Sequence, residues 1–155
     1  MKIKERLLRR AIEIAQNARE HGNHPFGALL ADEAGNILLE AENTVVTDSD
    51  CTAHAELNLI RMASKYFTVE TLINSTLYTS TEPCPMCSGA IFWGDVRHVV
   101  YALSEEGLYE ITGKTPYELA LTCREVFAHG THPVEVEGPF LEEEARQVHL
   151  GFWRE

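Results

Sequence analysis

The sequence lacks any long apolar run. Its 155 residues contain no stretch approaching the roughly 20 consecutive apolar residues that a membrane-spanning helix requires. Charged residues interrupt the N-terminal stretch MKIKERLLRRAIEIAQNARE throughout, so it has no signal-peptide core. We therefore expect a cytoplasmic protein that has no membrane partner.

Basic residues are scarce. Lysine and arginine together number 13 against 24 aspartates and glutamates, which gives a formal net charge of -11 at pH 7. Such a surface repels polyanions, because binding to nucleic acid depends on cationic contacts to phosphate. A nucleic-acid partner is therefore disfavoured.

Cysteine is also scarce, and four residues are too few for a disulfide-stabilised fold in a chain of this size. Two of them, Cys84 and Cys87, form a C-x-x-C pair, which in a reducing compartment indicates metal or redox chemistry. The length and the 45% apolar content fit one domain over residues 1–155 with a substantial core.

The apolar spacing predicts several helices. An amphipathic helix with Ile3, Leu7 and Ile14 on its apolar face precedes Gly22, which suits a helix stop. Further helices are predicted over AHAELNLIRMASKYF, PMCSGAIFW, PYELALTCREVFA and FLEEEARQVHLGFW. The third of these begins at a capping-box pattern in the TPYE stretch.

Strands are predicted between these helices. Two apolar runs around Gly35 and Asn36 indicate a hairpin, and STLYTS, VRHVVYAL and HPVEVEG indicate single strands. Strands that alternate with helices after an initial hairpin predict an α/β fold, a three-layer α/β/α sandwich around a central mixed β-sheet.

His54 and Glu56 precede the cysteine pair by about thirty residues and complete an H-x-E…P-C-x-x-C pattern, the signature of zinc-dependent nucleobase deaminases. Cys84 and Cys87 lie three positions apart at a predicted helix start, so both thiols face one side, where the helix dipole favours thiolate. Two thiolates and one imidazole suit zinc. The C-x-x-C pair alone is equally explained as a redox pair or as core cysteines.

On these motifs the chain resembles the cytidine-deaminase-like superfamily, in the branch of bacterial guanine deaminases, fungal cytosine deaminases and tRNA adenosine deaminases. The resemblance covers residues 5 to 103, and the stretches PFGALL and EPCPMCSGAIFW look like the guanine-deaminase members. It implies one Zn2+ held by His54, Cys84 and Cys87. It also implies that His54 and Glu56 converge off a helix end, since positions i and i+2 inside a helix point to nearly opposite sides.

The number of ligands predicts the chemistry. Three protein ligands leave zinc one position for water, and zinc lowers the pKa of that water towards about 7. The resulting hydroxide can attack an amidine carbon while an unligated Glu56 moves protons to the ring nitrogen and the departing ammonia. Glu82 is interpreted as a local hydrogen-bonding residue near the metal loop.

The resemblance further implies a pocket for a flat aromatic ring. Phe26 would stack on the ring, Asn43 would bind its edge, and Trp93 would line the pocket. The backbone N–H groups of Ala55 and Cys84 would act as oxyanion donors. From the residues alone, Phe26 and Trp93 are equally explained as packing residues, and Asn43 as the cap of a turn.

The substrate stays open at this point. Past Leu103, guanine-deaminase members have an aspartate-rich stretch, whereas this chain has SEEGLYEITGK, with Glu105, Glu106 and Glu110 as candidate contacts to the base. Guanine, converted to xanthine and ammonia, is the expected substrate, cytosine is the alternative, and the acidic surface disfavours tRNA adenosine. A non-catalytic zinc or redox binding domain is a further alternative, in which Glu56 has no chemical task.

The resemblance also implies a homodimer that pairs through the helices after the zinc motif. The chain ends in Phe152, Trp153, Arg154 and Glu155. These residues are predicted either to form a lid over an active site, of the same chain or of the partner, or to dock on the sheet as core.

Overall fold

The computed structural model describes residues 2–113 and 115–153. The helices are α1 (Lys2–Glu20), α2 (Ala55–Tyr66), α3 (Val69–Ile73), α4 (Pro85–Trp93), α5 (Glu105–Thr112), α6 (Cys123–Ala128) and α7 (Glu142–Gln147). The strands are β1 (Gly27–Ala31), β2 (Ile37–Glu42), β3 (Thr76–Thr81), β4 (His98–Leu103) and β5 (Glu135–Glu137).

Helix α1 forms as its apolar spacing predicts. Leu7, Leu8 and Ile14 are buried on one face, whereas Ile3, predicted to share that face, is exposed near the start of the helix. The chain leaves α1 at Gly22, whose φ of +92° is a left-handed conformation that costs glycine little.

The five strands form one mixed sheet in the order β2-β1-β3-β4-β5. Strand β1 is antiparallel to β2 and to β3, while β3 pairs in parallel with β4 and β4 with β5. The predicted hairpin between β1 and β2 is confirmed, and Gly35 in its turn has a φ of +85°.

Apolar residues cover both faces of this sheet. Ala28 and Leu30 of β1 pack with the face covered by α2, α4 and α6, and Leu29 and Ala31 pack with the opposite face, covered by α1 and α7. The alternation follows from the two-residue period of a strand. The three-layer α/β/α sandwich is therefore confirmed.

The last third of the chain differs most from the prediction. The helix predicted from Pro116 does not form: α6 begins at Cys123, behind a capping box of Thr122 and Glu125. The apolar side chains of Tyr117 and Leu119 are exposed and bury no face against the core. Because burial of an apolar face supplies most of the stability of a short helix, the 115–121 segment stays a turn.

Two further boundaries differ. Helix α5 was not predicted, although the Ser104 hydroxyl caps its start by accepting a hydrogen bond from the Gly107 N–H at 3.0 Å. Helix α7 ends at Gln147, so residues 148–153 form a tail outside the helix that was predicted there.

Parallel pairing of β3 and β4 brings their carboxyl ends to one edge of the sheet. Glu82, which follows β3, donates its N–H to the carbonyl of Leu103 at the end of β4, at 2.7 Å. Ligand sites of open α/β sheets lie beyond such carboxyl ends. Within the described ranges, no helix has both the length and the apolar character that crossing a membrane requires.

Candidate active site

Two helix starts meet beyond the end of β3. His54 is the N-cap residue of α2 and Cys84 is the N-cap residue of α4, and both have extended backbone conformations. Pro85 occupies the first turn of α4, where its missing N–H is not needed. Neither N-cap side chain forms a capping hydrogen bond, so both are available to other partners. Because His54 precedes the helix, it can face the same space as Glu56 two positions later.

The three predicted metal ligands converge. His54 Nδ1 lies 3.5 Å from Cys84 Sγ and 3.6 Å from Cys87 Sγ. All three atoms lie within 4.8 Å of one another, and among the described residues no further histidine, cysteine or carboxylate joins this group. Cys51, the nearest other cysteine in sequence, is exposed. A set of two sulfurs and one imidazole nitrogen fits Zn2+ and leaves a coordination position open.

The two thiols of this group differ in their protonation. A hydrogen bond from the Cys87 thiol, aided by His54, lowers the pKa of Cys84 to about 4. The same hydrogen bond and burial raise the pKa of Cys87 well above its usual value. The lowered pKa of Cys84 favours its thiolate, which is the form that binds a metal ion.

Glu56 lies in the first turn of α2 and is buried, with 6% of its surface exposed. Burial, and secondly the charge of Cys84, raises the pKa of the Glu56 carboxyl group to about 7. A carboxyl group with a pKa near neutrality can both accept and donate a proton under physiological conditions.

A cavity of about 330 Å³ opens beside the ligand group. Its wall contains five of the predicted site residues, namely Phe26, Asn43, His54, Glu56 and Cys84. The other lining residues are His24, Thr81, Glu82, Leu108, Tyr109, Thr112, Thr115, Tyr117, Glu118 and Trp153.

Phe26 and Asn43 combine the roles between which the sequence left a choice. Phe26 lines the cavity and also packs against the core on the sheet face that α2, α4 and α6 cover. Asn43 is 1% exposed, and its Oδ1 accepts a hydrogen bond from the Val45 N–H at 3.0 Å, so it caps a turn. Its amide nitrogen has no acceptor among the described residues and is available to a ligand in the cavity.

The prediction that Trp93 lines the pocket is wrong for the pocket of its own chain. Trp93 is 82% exposed and does not line the cavity. The N-terminus of α4 lies at the ligand group, and the helix carries Trp93 about 12 Å away, at a rise of 1.5 Å per residue. Trp153 of the C-terminal tail supplies the indole that lines the cavity instead.

Among the residues after Leu103, the glutamate that lines the cavity is Glu118, which is not one of the three candidates that the sequence offered. None of Glu105, Glu106 and Glu110 lines the cavity; Glu105 accepts a hydrogen bond from the Tyr109 hydroxyl at 2.8 Å instead. Glu118 lines it, and its Oε1 is buried without a partner among the described residues. Its Oε2 accepts from the Thr115 N–H at 3.2 Å, which is the contact that the capping-box pattern indicated.

Glu82 connects distant parts of the site. Its Oε1 accepts from the Glu105 N–H and its Oε2 from the Cys123 N–H, both at 3.1 Å. These N–H groups begin α5 and α6, so the interpretation of Glu82 as a hydrogen-bonding residue holds, although its partners are not local. One buried carboxylate thereby holds the two helices that flank the 113–122 segment.

The C-terminal tail reaches the cavity through Trp153, whose ring lies 5.4 Å from His24 and 6.0 Å from Phe26 between ring centroids. His24 lines the cavity as well. Arg154 and Glu155, the remaining residues of the predicted lid, lie outside the described residues.

Comparison with known proteins agrees with this geometry. The profile of the cytidine and deoxycytidylate deaminase zinc-binding region matches residues 1–103. A probable cytosine deaminase of Schizosaccharomyces pombe is 45% identical over 149 residues, which cover 94% of this chain and 90% of the relative. A tRNA-specific adenosine deaminase of Bacillus subtilis is 34% identical over 97% of this chain and 89% of its own length.

A solved structure is similar over nearly the whole chain as well. The guanine deaminase of Bacillus subtilis superposes with a TM-score of 0.62 and 32% identity, covering 97% of this chain and 96% of that protein. The chain is thus similar to deaminases that are named for three different substrates.

Proposed function

From the premise that the chain belongs to the family of zinc-binding cytidine and deoxycytidylate deaminases, we propose that this zinc-dependent deaminase acts on a small free nucleobase. The observation that carries the proposal is the shared cavity: His54, Cys84 and Glu56 line the same space as an aromatic pair and a buried carboxylate. A flat aminated ring placed there would contact all of these groups at once.

His54, Cys84 and Cys87 are the residues that would hold Zn2+. When bound, zinc supplies a Lewis acid that lowers the pKa of a water molecule towards about 7. The protein contributes the position of this group at two helix starts, where partial positive charge stabilises the anionic ligands.

Glu56 is proposed as the proton carrier. Its carboxylate would accept a proton from the attacking water and pass it to a ring nitrogen of the base. It would then accept the second proton, from the hydroxyl group added to the ring carbon, and pass it to the amino group, which departs as ammonia. A divalent cation beside it lowers the pKa of the carboxyl group by favouring the carboxylate, which is the accepting form that the first step requires. A Glu56 that is buried but not a metal ligand is suited to this task.

Five groups are proposed to bind the base. The rings of Phe26 and Trp153, with centroids 6.0 Å apart and planes at 53°, provide apolar walls. The free amide nitrogen of Asn43 and the N–H of Ala55, the first residue of α2, would donate to the oxygen of the base. The Oε1 of Glu118, which has no partner among the described residues, would accept from a ring N–H.

Cytosine is proposed as the preferred substrate, and guanine is the alternative. The similarity to the probable cytosine deaminase extends past residue 103 and includes the segment that carries Glu118. Guanine, the substrate expected from the sequence, keeps the support of the PFGALL stretch and of the structural similarity to a guanine deaminase, but loses that of Trp93. The net charge of -11 argues against tRNA adenosine.

We further propose that the protein is a homodimer. Trp93 and Tyr66 are the last residues of α4 and α2, the two helices whose starts carry the zinc motif, and they are 82% and 72% exposed. Two large aromatic side chains are thus available for a contact between subunits. Sedimentation analysis should give a dimer for the wild type and a monomer for Trp93→Lys. A wild-type monomer at micromolar concentration would contradict this part of the proposal.

Ammonia release tests the proposed function. Purified, zinc-loaded protein is incubated with cytosine, guanine, adenine and a transfer RNA containing adenosine, and zinc is counted per chain. We expect about one zinc per chain and release from cytosine or guanine only. A preference for the transfer RNA would overturn the substrate class, and no release from any of the four would overturn the proposal. Cys51→Ala, which changes an exposed cysteine outside the ligand group, should behave as wild type.

A further inference from the structure

The C-terminal tail contains a buried histidine that the chemistry above does not use. His149 follows α7 and is 1% exposed. The indole Nε1–H of Trp153 donates a hydrogen bond to His149 Nδ1 at 2.9 Å, and the two rings lie within 16° of parallel. Trp153 lines the cavity, whereas His149 does not and contacts the cavity wall through Trp153.

The hydrogen bond fixes the chemical form of His149. Because Nδ1 accepts, the imidazole is neutral and its proton is on Nε2. That Nε2 is buried and has no hydrogen-bond partner among the described residues. Leaving a buried donor unpaired is unfavourable, and an apolar side chain would fill the same space without this cost. What the imidazole offers, and an apolar residue does not, is an acceptor for the Trp153 indole.

A second residue fixes the backbone of the tail but not the indole. The Arg19 guanidinium donates to the carbonyl oxygens of Val148 at 2.9 Å and Leu150 at 2.7 Å, and lies over the Phe152 ring. These contacts hold the tail against α1. They leave the orientation of the Trp153 ring undetermined, because none of them involves its indole.

Trp153 also contacts three further rings. His24, Phe26 and Phe152 lie within 6.0 Å of it between centroids, and the angles between their planes and the indole range from 51° to 79°. Ring contacts of this kind tolerate rotation, whereas a hydrogen bond to Nε1 selects one orientation of the indole.

We propose that His149 is a positioning residue for base binding, which holds the indole of Trp153 at a fixed angle beside Phe26 so that both rings serve as apolar walls of the cavity. The inference deepens the proposed function and rests on it for the identity of the ligand. The orientation of Trp153 in the free protein can be measured without any ligand.

The test uses a Trp93→Phe background, in which Trp153 is the one remaining tryptophan of the chain. His149→Phe keeps an aromatic ring and removes the acceptor, whereas His149→Asn keeps an acceptor near the position of Nδ1. In His149→Phe we expect the fluorescence of Trp153 to shift to longer wavelength and to become more accessible to acrylamide. His149→Asn should restore both values towards the background protein.

Turnover provides the second measurement. With cytosine and guanine as substrates, His149→Phe should raise KM about three- to tenfold, the factor that one net hydrogen bond contributes, with zinc content unchanged. In a Trp153→Phe background, the same substitution should add no further rise in KM, since the indole donor is gone.

The outcomes separate this proposal from the proposed function. Unchanged fluorescence and KM in His149→Phe would overturn the positioning role, as would an equal loss in the asparagine and phenylalanine variants accompanied by an equal fall in Tm. If the wild-type protein released ammonia from none of the bases, the proposed function would fail, while the fluorescence comparison would still decide the role of His149.

Discussion

The cavity has two walls that are built in different ways. The metal wall consists of His54, Glu56, Cys84 and Cys87, which belong to the starts of two helices within the part of the chain that the family profile matches. The base wall is the part of the base site that follows residue 103: it consists of Tyr109, Glu118 and Trp153, which belong to a helix, a loop and a tail. Phe26 and Asn43 of the matched region complete the base site.

This difference teaches where chemistry and selectivity reside. A helix start imposes its geometry locally, so a short motif is enough to place a ligand or a proton carrier. A turn and a tail depend on what they pack against, so their side chains can change the recognised base without disturbing the metal wall. Glu82 joins the two parts, because it follows β3 and holds the starts of α5 and α6.

The largest effect is expected in the metal wall. Cys84→Ala removes a ligand, so zinc content should fall well below that of the wild type and ammonia release should fall to the background rate. Cys51→Ala is the matched control, and it should keep both. Retention of stoichiometric zinc by Cys84→Ala would show that the three-residue group is not the metal site.

A smaller effect is expected in the base wall. In Glu118→Gln, an amide replaces the carboxylate whose Oε1 has no partner among the described residues, so the N–H of the base meets either an uncharged acceptor or another donor. KM should rise about 10- to 100-fold, as for the loss of a hydrogen bond to a charged group. Zinc content should not change. Glu110→Gln, at an exposed carboxylate that pairs with Arg146, is the control and should leave KM unchanged. Equal effects of the two substitutions would remove Glu118 from the base wall.

The pH dependence of the unfolding free energy tests His149, which supports the base wall through Trp153. Burial lowers the pKa of His149 to about 4, while the unfolded chain has the ordinary value of 6.5. Between these values the unfolded state binds more protons, so this contribution is present above pH 6.5 and is lost as the pH falls towards 4. Compared with His149→Phe, the wild type should lose up to about 3 kcal/mol of unfolding free energy across this window. Urea unfolding at pH 7, 5 and 4 measures it, and a pH-independent difference between the two proteins would contradict the assignment.

The smallest effect concerns the two tryptophans. Trp153→Phe should raise KM about three- to tenfold, as His149→Phe does, by removing the indole from the cavity, whereas Trp93→Phe should leave KM as it is, because Trp93 lies outside the cavity. Steady-state kinetics with cytosine and guanine compares them. A rise in KM in Trp93→Phe but not in Trp153→Phe would contradict the assignment of Trp153 to the base wall.

Much of the fold was predictable because its signals are local. The spacing of Leu7 and Ile14, the glycine of the β1–β2 turn, and Pro85 at the start of α4 each report on the few residues around them. The convergence of His54 with the cysteines was not visible in the spacing and came from the resemblance. The structure explains it by N-cap positions, which place both side chains outside their helices.

The base wall was not predictable from local signals. Thr115 and Glu118 do form the expected hydrogen bond, yet the helix does not continue, because Tyr117 and Leu119 bury no apolar face. The position of the Glu118 Oε1 at the cavity depends on that interrupted turn. Similarly, the helical spacing in the C-terminal stretch gave no sign that the chain leaves α7 at Gln147 and returns to the cavity.

The role of Glu56 is tested most directly by zinc content and ammonia release measured on the same preparations of wild type and Glu56→Ala. Glu56 lines the cavity but does not belong to the ligand group, so the variant should keep its zinc. Its turnover should fall about 100- to 10,000-fold, as expected for the loss of a positioned proton carrier. A variant that loses its zinc, or one that releases ammonia at the wild-type rate, would contradict the assignment of Glu56 as the proton carrier of a zinc-dependent deaminase.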